Sequence, residues 1–205
     1  MATTLPCNRR PLALALGAAA ALVLAACSSS PAAPVAKVAT GTVTCSAITG
    51  AVSFSPPLTT KGGSAETSSI NVTSTGCTPS GSNVTSVTKG VGTATLSNTS
   101  NNCTGLLNAQ PLTITIRWSP STIKPTVVKF SSYAVTEVSG GKGAFDLPGT
   151  KGTASVTGSF AGSDGGAGST SVAVSNETAT QLLAGCGSSA GLVSIPVASG
   201  TLTLK

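Results

Sequence analysis

Five carboxylates are the side chains of this sequence that could act as general acids or bases. They are Glu66, Glu137, Asp146, Asp164 and Glu177. A glycosidase needs two carboxyl groups a few ångströms apart, and Glu137, in a predicted strand, is the best candidate for one of them. Asp164 lies in a Gly-rich turn and Glu177 near the start of a predicted helix, so local structure explains both. We expect no catalytic pair among these acids.

The chain contains no histidine. This excludes nucleophiles activated by histidine and metal sites built on imidazole. Serine–lysine catalysis remains formally open, but serines are so numerous that one near a lysine means little. The Gly-rich residues 162–168 lack the Lys-Ser/Thr ending of a phosphate-binding loop. We therefore predict no enzymatic activity, no catalytic residue, no metal and no cofactor.

The first 27 residues have the organisation of an export signal. Arg9 and Arg10 supply a positive start, and an apolar, Ala-rich run follows from Pro11. That run is shorter than the roughly 20 residues a transmembrane helix needs, and no basic stop-transfer flank follows it. The segment therefore predicts export and removal of a signal.

Leu24-Ala25-Ala26-Cys27 resembles the lipobox of bacterial lipoproteins, in which a diacylglyceryl group alkylates the cysteine before the signal is cut. The resemblance implies that residues 1–26 are removed and that Cys27 becomes the lipidated first residue. The mature protein would then be extracytoplasmic and held on the cell membrane by its lipid. An ordinary secretory signal, cut after Ala26 or near Ala39, is the alternative. The export route, Sec or Tat, stays open.

Composition predicts one folded domain after this signal. Charged residues are 8% of the chain and hydrophobic residues 40%, which favours an ordered domain with a hydroxyl-rich surface. Residues 27–39 are rich in Pro, Ala and Ser and suit a tether, which leaves residues 40–205 for the domain. Loss of Arg9 and Arg10 lowers the formal net charge from +6 to +4. The lysines are scattered singly, so we expect no nucleic-acid partner.

Short alternating runs predict an all-β domain. In residues 112–118 the apolar side chains of Leu112, Ile114, Ile116 and Trp118 alternate with polar ones and should share a buried face. The other predicted strands are 41–45, 51–55, 69–73, 84–88, 92–96, 127–138, 153–160, 169–174 and 200–204. We predict an antiparallel β-sandwich or flattened barrel of about ten strands.

Two local features refine this prediction. Strands 153–160 and 169–174 flank a turn-rich loop and should form a hairpin. One short helix is predicted over residues 178–186, capped by Ser175 or Asn176.

Four cysteines remain after Cys7 leaves with the signal and Cys27 is lipidated. They are Cys45, Cys77, Cys103 and Cys186. An even number in an exported chain predicts two structural disulfides, whereas the spacing matches no CxxC redox or zinc motif. Three pairings are possible, and Cys45–Cys77 with Cys103–Cys186 is the simplest in sequence order.

The cysteines and the motifs around them resemble a group of small secreted proteins common in actinobacteria, with a four-cysteine, Ser/Thr/Gly-rich β domain. The matching motifs are Gly41-Thr-Val-Thr-Cys45, Phe54-Ser-Pro-Pro-Leu58, Gly76-Cys77, Asn102-Cys103-Thr-Gly-Leu-Leu107, Thr115-Ile-Arg-Trp118, Val156-Thr-Gly-Ser-Phe160-Ala-Gly and Gln181-Leu-Leu-Ala-Gly-Cys186. The resemblance spans most of the mature chain. It implies origin and architecture, and it transfers no functional residue.

Three classes of function are compatible with these features. The leading hypothesis is a non-enzymatic binding or surface-interaction module of the cell envelope, with an unidentified protein or envelope partner. The second is a carrier of an apolar ligand or lipid, which requires an apolar cavity of roughly several hundred Å³. The third, a hydrolase, requires Glu137 or Asp146 to lie in a cleft beside another acid. Trp118 and the other aromatic residues are expected in the core, not in a sugar-stacking platform.

Overall fold

The computed structural model of the chain describes residues 35–107, 110–138, 142–147, 154–162 and 170–205. The predicted signal 1–26, the predicted lipidation site Cys27 and the tether up to residue 34 lie outside these residues. The loop with Asp164 also lies outside them.

The fold is built mainly from antiparallel strands. The described strands are β1 (Thr42–Leu58), β2 (Glu66–Ser80), β3 (Lys89–Asn98), β4 (Gln110–Ser119), β5 (Thr126–Val138), β6 (Lys142–Leu147), β7 (Ala154–Gly158), β8 (Thr170–Thr178), β9 (Leu192–Val197) and β10 (Ser199–Leu204). A 3-10 helix spans Cys103–Leu107, and one α-helix, α1, spans Ala179–Gly187.

These strands belong to one curled sheet in which β1 is the organising element. On one side β1 pairs with β2 along almost its whole length, from Thr42 opposite Ser80 to Ser55 opposite Thr67. On the other side its first residues pair with β10 and its later residues with β9. The strands continue in the order β1-β2-β3-β4-β5-β6-β8-β10, and β7 adds to β5. The sheet therefore curls until β10 reaches the beginning of β1.

The all-β prediction, with antiparallel pairing and one helix near the C-terminus, is confirmed. The β-sandwich is not confirmed, because the described strands hydrogen-bond into a single sheet and the core lies inside its curl. The sequence of strand β4 determines which of its side chains enter this core. Leu112, Ile114, Ile116 and Trp118 are buried, as their alternation predicts.

Trp118 anchors the interior through a chain of polar contacts. Its indole Nε1 donates to Thr126 Oγ1 at 2.8 Å, and Thr126 Oγ1 donates to the carbonyl oxygen of Ser159 at 2.6 Å. The Phe160 ring meets the indole edge-on, with centroids 5.2 Å apart. Described aromatic side chains such as Phe54, Phe130 and Phe160 are likewise buried, as expected for core residues.

Three local predictions are wrong. Residues 84–88 form no strand, because Val84 and Val87 are both buried at a spacing of three, which alternation cannot produce. The predicted hairpin does not form, because β7 pairs with β5 while β8 pairs with β6 and β10. Helix α1 is capped by Thr178 and not by Ser175 or Asn176. The Thr178 hydroxyl accepts from the Gln181 amide, and the Gln181 side chain accepts from the Thr178 amide.

Two disulfides join residues that are distant in sequence. Cys45 pairs with Cys77, its register partner on the adjacent strand β2, and Cys103 of the 3-10 helix pairs with Cys186 of α1. This is the pairing that sequence order favoured. Two disulfides indicate an oxidising, extracytoplasmic environment. Within the part of the chain that the structure describes, no helix is long and apolar enough to cross a membrane.

The end of the predicted tether contacts the domain. The amide of Lys37 donates to the carbonyl of Thr122, and the amide of Phe160 donates to the carbonyl of Ala39. The Ala39 amide also donates to Ser159 Oγ at 3.0 Å, and Ala39 is buried. Residues 37–39 are therefore fixed against the sheet, ahead of Thr40.

Candidate functional site

A polar pocket lies where strands β3 and β4 separate. Their pairing runs from Lys89 opposite Ser119 to Thr93 opposite Thr115 and ends there. If that register continued, Asn98 would face Gln110. Instead both residues line a pocket of about 270 Å³. The parting of the two strands thus creates the space.

Glu66 is the charged residue of this pocket. It begins β2 directly opposite Asn98 of β3, and it is only 2% exposed. The Ser68 hydroxyl lies 2.9 and 3.1 Å from the two carboxylate oxygens, and Asn98 Nδ2 donates to Oε2 at 2.6 Å. Ser68 lies two residues further along β2 and so shares the inward face with Glu66. The sheet therefore holds a buried carboxylate between two neutral donors.

Residues 99–105 form the wall of the pocket, which we call the Asn-rich wall. Asn101 fixes it to the end of β1 and the segment that follows by four hydrogen bonds. Its side chain accepts from the Ser64 amide at 3.2 Å and donates to the Pro57 carbonyl at 2.8 Å. Its backbone amide donates to the Ser64 carbonyl at 2.7 Å, and its carbonyl accepts from the Thr59 amide at 2.8 Å. A buried amide so fully bonded fixes the backbone on both sides of it.

Two further constraints hold this wall. The Cys103–Cys186 disulfide ties it to α1, and the Cys103 amide donates to the Thr59 carbonyl at 3.1 Å. Gly62 lies against the outside of the wall with a φ of +67°. A Cβ there would meet Ser100 Oγ at 2.4 Å, so close approach and backbone conformation both require glycine. The wall is therefore fixed from both ends.

Most residues of the pocket lining carry polar side chains. Besides Glu66 and Ser68 it consists of Leu58, Asn98, Thr99, Ser100, Asn102, Thr104, Gly105 and Gln110. Asn102 is oriented by the loop, since its Oδ1 accepts from the amide and the hydroxyl of Thr104, both at 2.9 Å. The described lining thus offers one carboxylate with hydroxyls and amides.

Glu66 is the one acid in the described lining of the pocket. Glu137 pairs with Gly143, and Asp146 with Ala134, between β5 and β6. The side chains of those two acids are not among the described ones. Glu177 is half-buried immediately before the cap of α1, as its sequence context indicates.

The apolar interior of the sheet contains a second, smaller cavity. Its lining includes Ile48, Val72, Ile114, Phe130 and Leu202, and its volume is about 30 Å³. This cavity is far smaller than the roughly 300–1,000 Å³ of typical ligand pockets.

Sequence reasoning named Glu66 as an acid but overlooked its role. The predicted strand 69–73 began after it, so Glu66 was not placed on the inward face. Its partner Asn98 is 32 residues away and becomes a neighbour only through the β2–β3 register. One local signal could have drawn attention to the site. Three asparagines lie within residues 98–102, directly before Cys103.

Comparisons of the chain with models of known protein families, with curated proteins and with solved structures gave no significant match. The candidate site therefore rests on its own geometry and chemistry.

Proposed function

We propose that this chain is an extracytoplasmic binding module whose ligand site is the pocket around Glu66. The observation that carries the proposal is the buried carboxylate in a preformed polar pocket. Burying an ionised carboxylate is costly unless its oxygens are hydrogen-bonded or paired, and Ser68 and Asn98 supply part of that compensation. A donor group on a ligand would complete it. The pocket volume suits a small polar solute.

The most direct test is analysis of solutes that remain with the protein during purification from its own membranes. Native mass spectrometry and metabolite extraction would compare the unaltered protein with Glu66→Gln, and with Glu177→Gln as a control of equal charge change. We expect a small polar solute in the unaltered protein and the control, and a reduced amount in Glu66→Gln. Equal solute content in all three proteins would contradict the proposal.

We also propose that the domain is attached to the cell membrane through a lipid on Cys27. The support is the sequence from Leu24 to Cys27, together with the two disulfides, which pair the four described cysteines with one another. Mass spectrometry of the mature N-terminus tests it. A diacylated residue 27 is expected, and an unmodified Cys27 or a start near Thr40 would contradict it. Membership of the actinobacterial secreted family stays a prediction.

The apolar carrier is a weaker proposal. It needs room for a lipid chain, whereas the described apolar cavity holds about 30 Å³. The hydrolase is weaker still, since the described pocket lining contributes Glu66 alone as an acid. A non-enzymatic role in binding, with no nucleic-acid partner, remains the prediction that this chemistry favours.

A further inference from the structure

The ligand class of the pocket follows from the unused capacity of the Glu66 carboxylate. An ionised carboxylate has about four acceptor sites on its two oxygens. Ser68 has one hydroxyl proton to give, and Asn98 gives one amide proton to Oε2. About two acceptor sites therefore remain for a group that enters the pocket. The entering group must be a hydrogen-bond donor.

The negative charge of Glu66 favours a cationic hydrogen-bond donor over a neutral one. The ten described residues of the lining include no lysine and no arginine. Buried charges in proteins are hydrogen-bonded or paired, and a cationic group that pairs with Glu66 must offset its own desolvation by a close, well-aligned bond. A charge-assisted bond from a cationic nitrogen is also about twice as strong as one from a neutral donor. The site therefore favours an ammonium group over a hydroxyl at the position facing Glu66.

The other lining residues indicate the size and polarity of the rest of the ligand. Around the carboxylate lie hydroxyls and amides, including those of Thr99, Ser100, Asn102 and Gln110, with Leu58 as an apolar contact. No aromatic ring belongs to the described lining. The volume of about 270 Å³ lies just below the roughly 300–1,000 Å³ of typical ligand pockets and suits a small solute. These features fit a compact polyol, not an acyl chain or a flat ring system.

We propose that the pocket binds a small hydroxylated amine, with its ammonium on Glu66 and its hydroxyls on the Asn-rich wall. This inference rests on the proposed function and names the ligand class for the same site. A bare divalent cation fits less well. Calcium needs six to eight oxygen ligands, whereas here a single carboxylate already accepts bonds from two donors. The described residues also contain no group of three acidic, cysteine or histidine side chains placed to hold a metal.

Two polyols that differ in one group provide the test. Glucamine and sorbitol share a six-carbon chain with the same hydroxyls, except that an ammonium replaces one terminal hydroxyl in glucamine. Isothermal titration calorimetry of the mature protein at pH 7 should show glucamine binding at least about tenfold more tightly than sorbitol. In Glu66→Gln, which keeps the shape and one acceptor oxygen, we expect this preference to disappear. Glu177→Gln should keep it.

A second variant keeps the test valid if Glu66→Gln does not fold. Thr104 is exposed and lines the pocket, so Thr104→Lys places a cation near the carboxylate without altering the buried contacts. This variant should bind glucamine about tenfold more weakly because its lysine competes for Glu66. Thr113→Lys, at an exposed position on β4, is the matched control and should bind glucamine normally.

The outcomes distinguish failure of the proposed ligand class from failure of the proposed function. Equal binding of glucamine and sorbitol, unchanged by Glu66→Gln, would overturn the ligand class and leave a polar binding pocket in place. Calcium chloride that binds in a Glu66-dependent manner and displaces glucamine would also overturn it, in favour of a metal site. Failure of both polyols to bind would overturn the ligand class, and the co-purified solute would then judge the proposed function separately.

Discussion

Asn98 Nδ2 donates a 2.6 Å hydrogen bond to Glu66 Oε2 across the register pair that joins the start of β2 to the end of β3. This contact places an amide proton against a carboxylate that is almost completely buried. It also fixes the edge of the pocket at the end of β3, beyond its pairing with β4. The Glu66–Asn98 pair therefore affects both the stability of this end of the sheet and the hydrogen bonding in the pocket.

Replacing Asn98 with aspartate should destabilise the protein. The Asn98→Asp variant puts a second carboxylate beside Glu66 in place of a donor. Loss of the donated hydrogen bond and repulsion between the two carboxylates should together cost about 1–3 kcal/mol in the free energy of unfolding at pH 7. Urea denaturation measures the loss.

The control for this variant is Asn71→Asp, at an exposed position on β2. Its unfolding free energy should stay within about 0.5 kcal/mol of the parent. An Asn98→Asp loss no larger than that of Asn71→Asp would contradict the contact between residue 98 and the Glu66 carboxylate.

Removing the Asn101 side chain should loosen the pocket wall. The Asn101→Ala variant leaves the Ser64 amide and the Pro57 carbonyl without their present partners. We expect a loss of about 1–3 kcal/mol in stability. Amide hydrogen exchange should accelerate in residues 99–105 more than in β1. Uniform acceleration over the whole sheet would contradict a local role for Asn101.

The two disulfides should contribute unequally. In the chain-entropy description each is worth roughly 4 kcal/mol, and the larger sequence separation of Cys103–Cys186, 83 against 32 for Cys45–Cys77, adds about 0.8 kcal/mol. Paired Cys→Ser variants measured by urea denaturation give the comparison. Ligand binding should weaken in the Cys103/Cys186 variant and persist in the other. Equal loss of binding in both variants would contradict the conclusion that the Cys103–Cys186 disulfide holds the Asn-rich wall in place.

Strand β3 carries a glycine where the Trp118 indole packs. A Cβ at Gly90 would approach the indole Cζ3 atom to 2.7 Å. The Gly90→Ala variant should therefore lose about 1–3 kcal/mol through overpacking. A Cβ at Gly187, at the end of α1, would meet no described atom within 4 Å, so Gly187→Ala should be nearly neutral. Thermal unfolding compares the two, and similar melting temperatures would contradict the packing argument.

Features that depend only on neighbouring residues could be predicted from the sequence. The buried face of β4 follows from alternation within residues 112–118, and the short helix that contains Cys186 follows from its local composition. Errors arose where a choice depended on distant partners. Strand β7 pairs with β5 and not with the strand that follows it in sequence, and no local pattern in residues 154–158 carries that information. Buried Val84 and Val87 likewise lie in an irregular segment.

The candidate site was the least predictable part because strand register brings its residues together. Glu66, Asn98 and Gln110 come from three strands and meet only where β3 separates from β4. A single glutamate in a Ser/Thr-rich chain carries no spacing signal. Its burial is a property of the folded sheet.

The location of ligand binding tests the central claim most directly. The ¹⁵N-labelled mature protein would be titrated with the low-molecular-weight fraction of an envelope extract from its source cells, and amide chemical shifts would be mapped by NMR. We predict that the changes concentrate at Glu66, Ser68 and residues 98–105, and that they vanish in Glu66→Gln. Changes that concentrate instead around the exposed Leu183 and Val193, or that persist in Glu66→Gln, would contradict the claim.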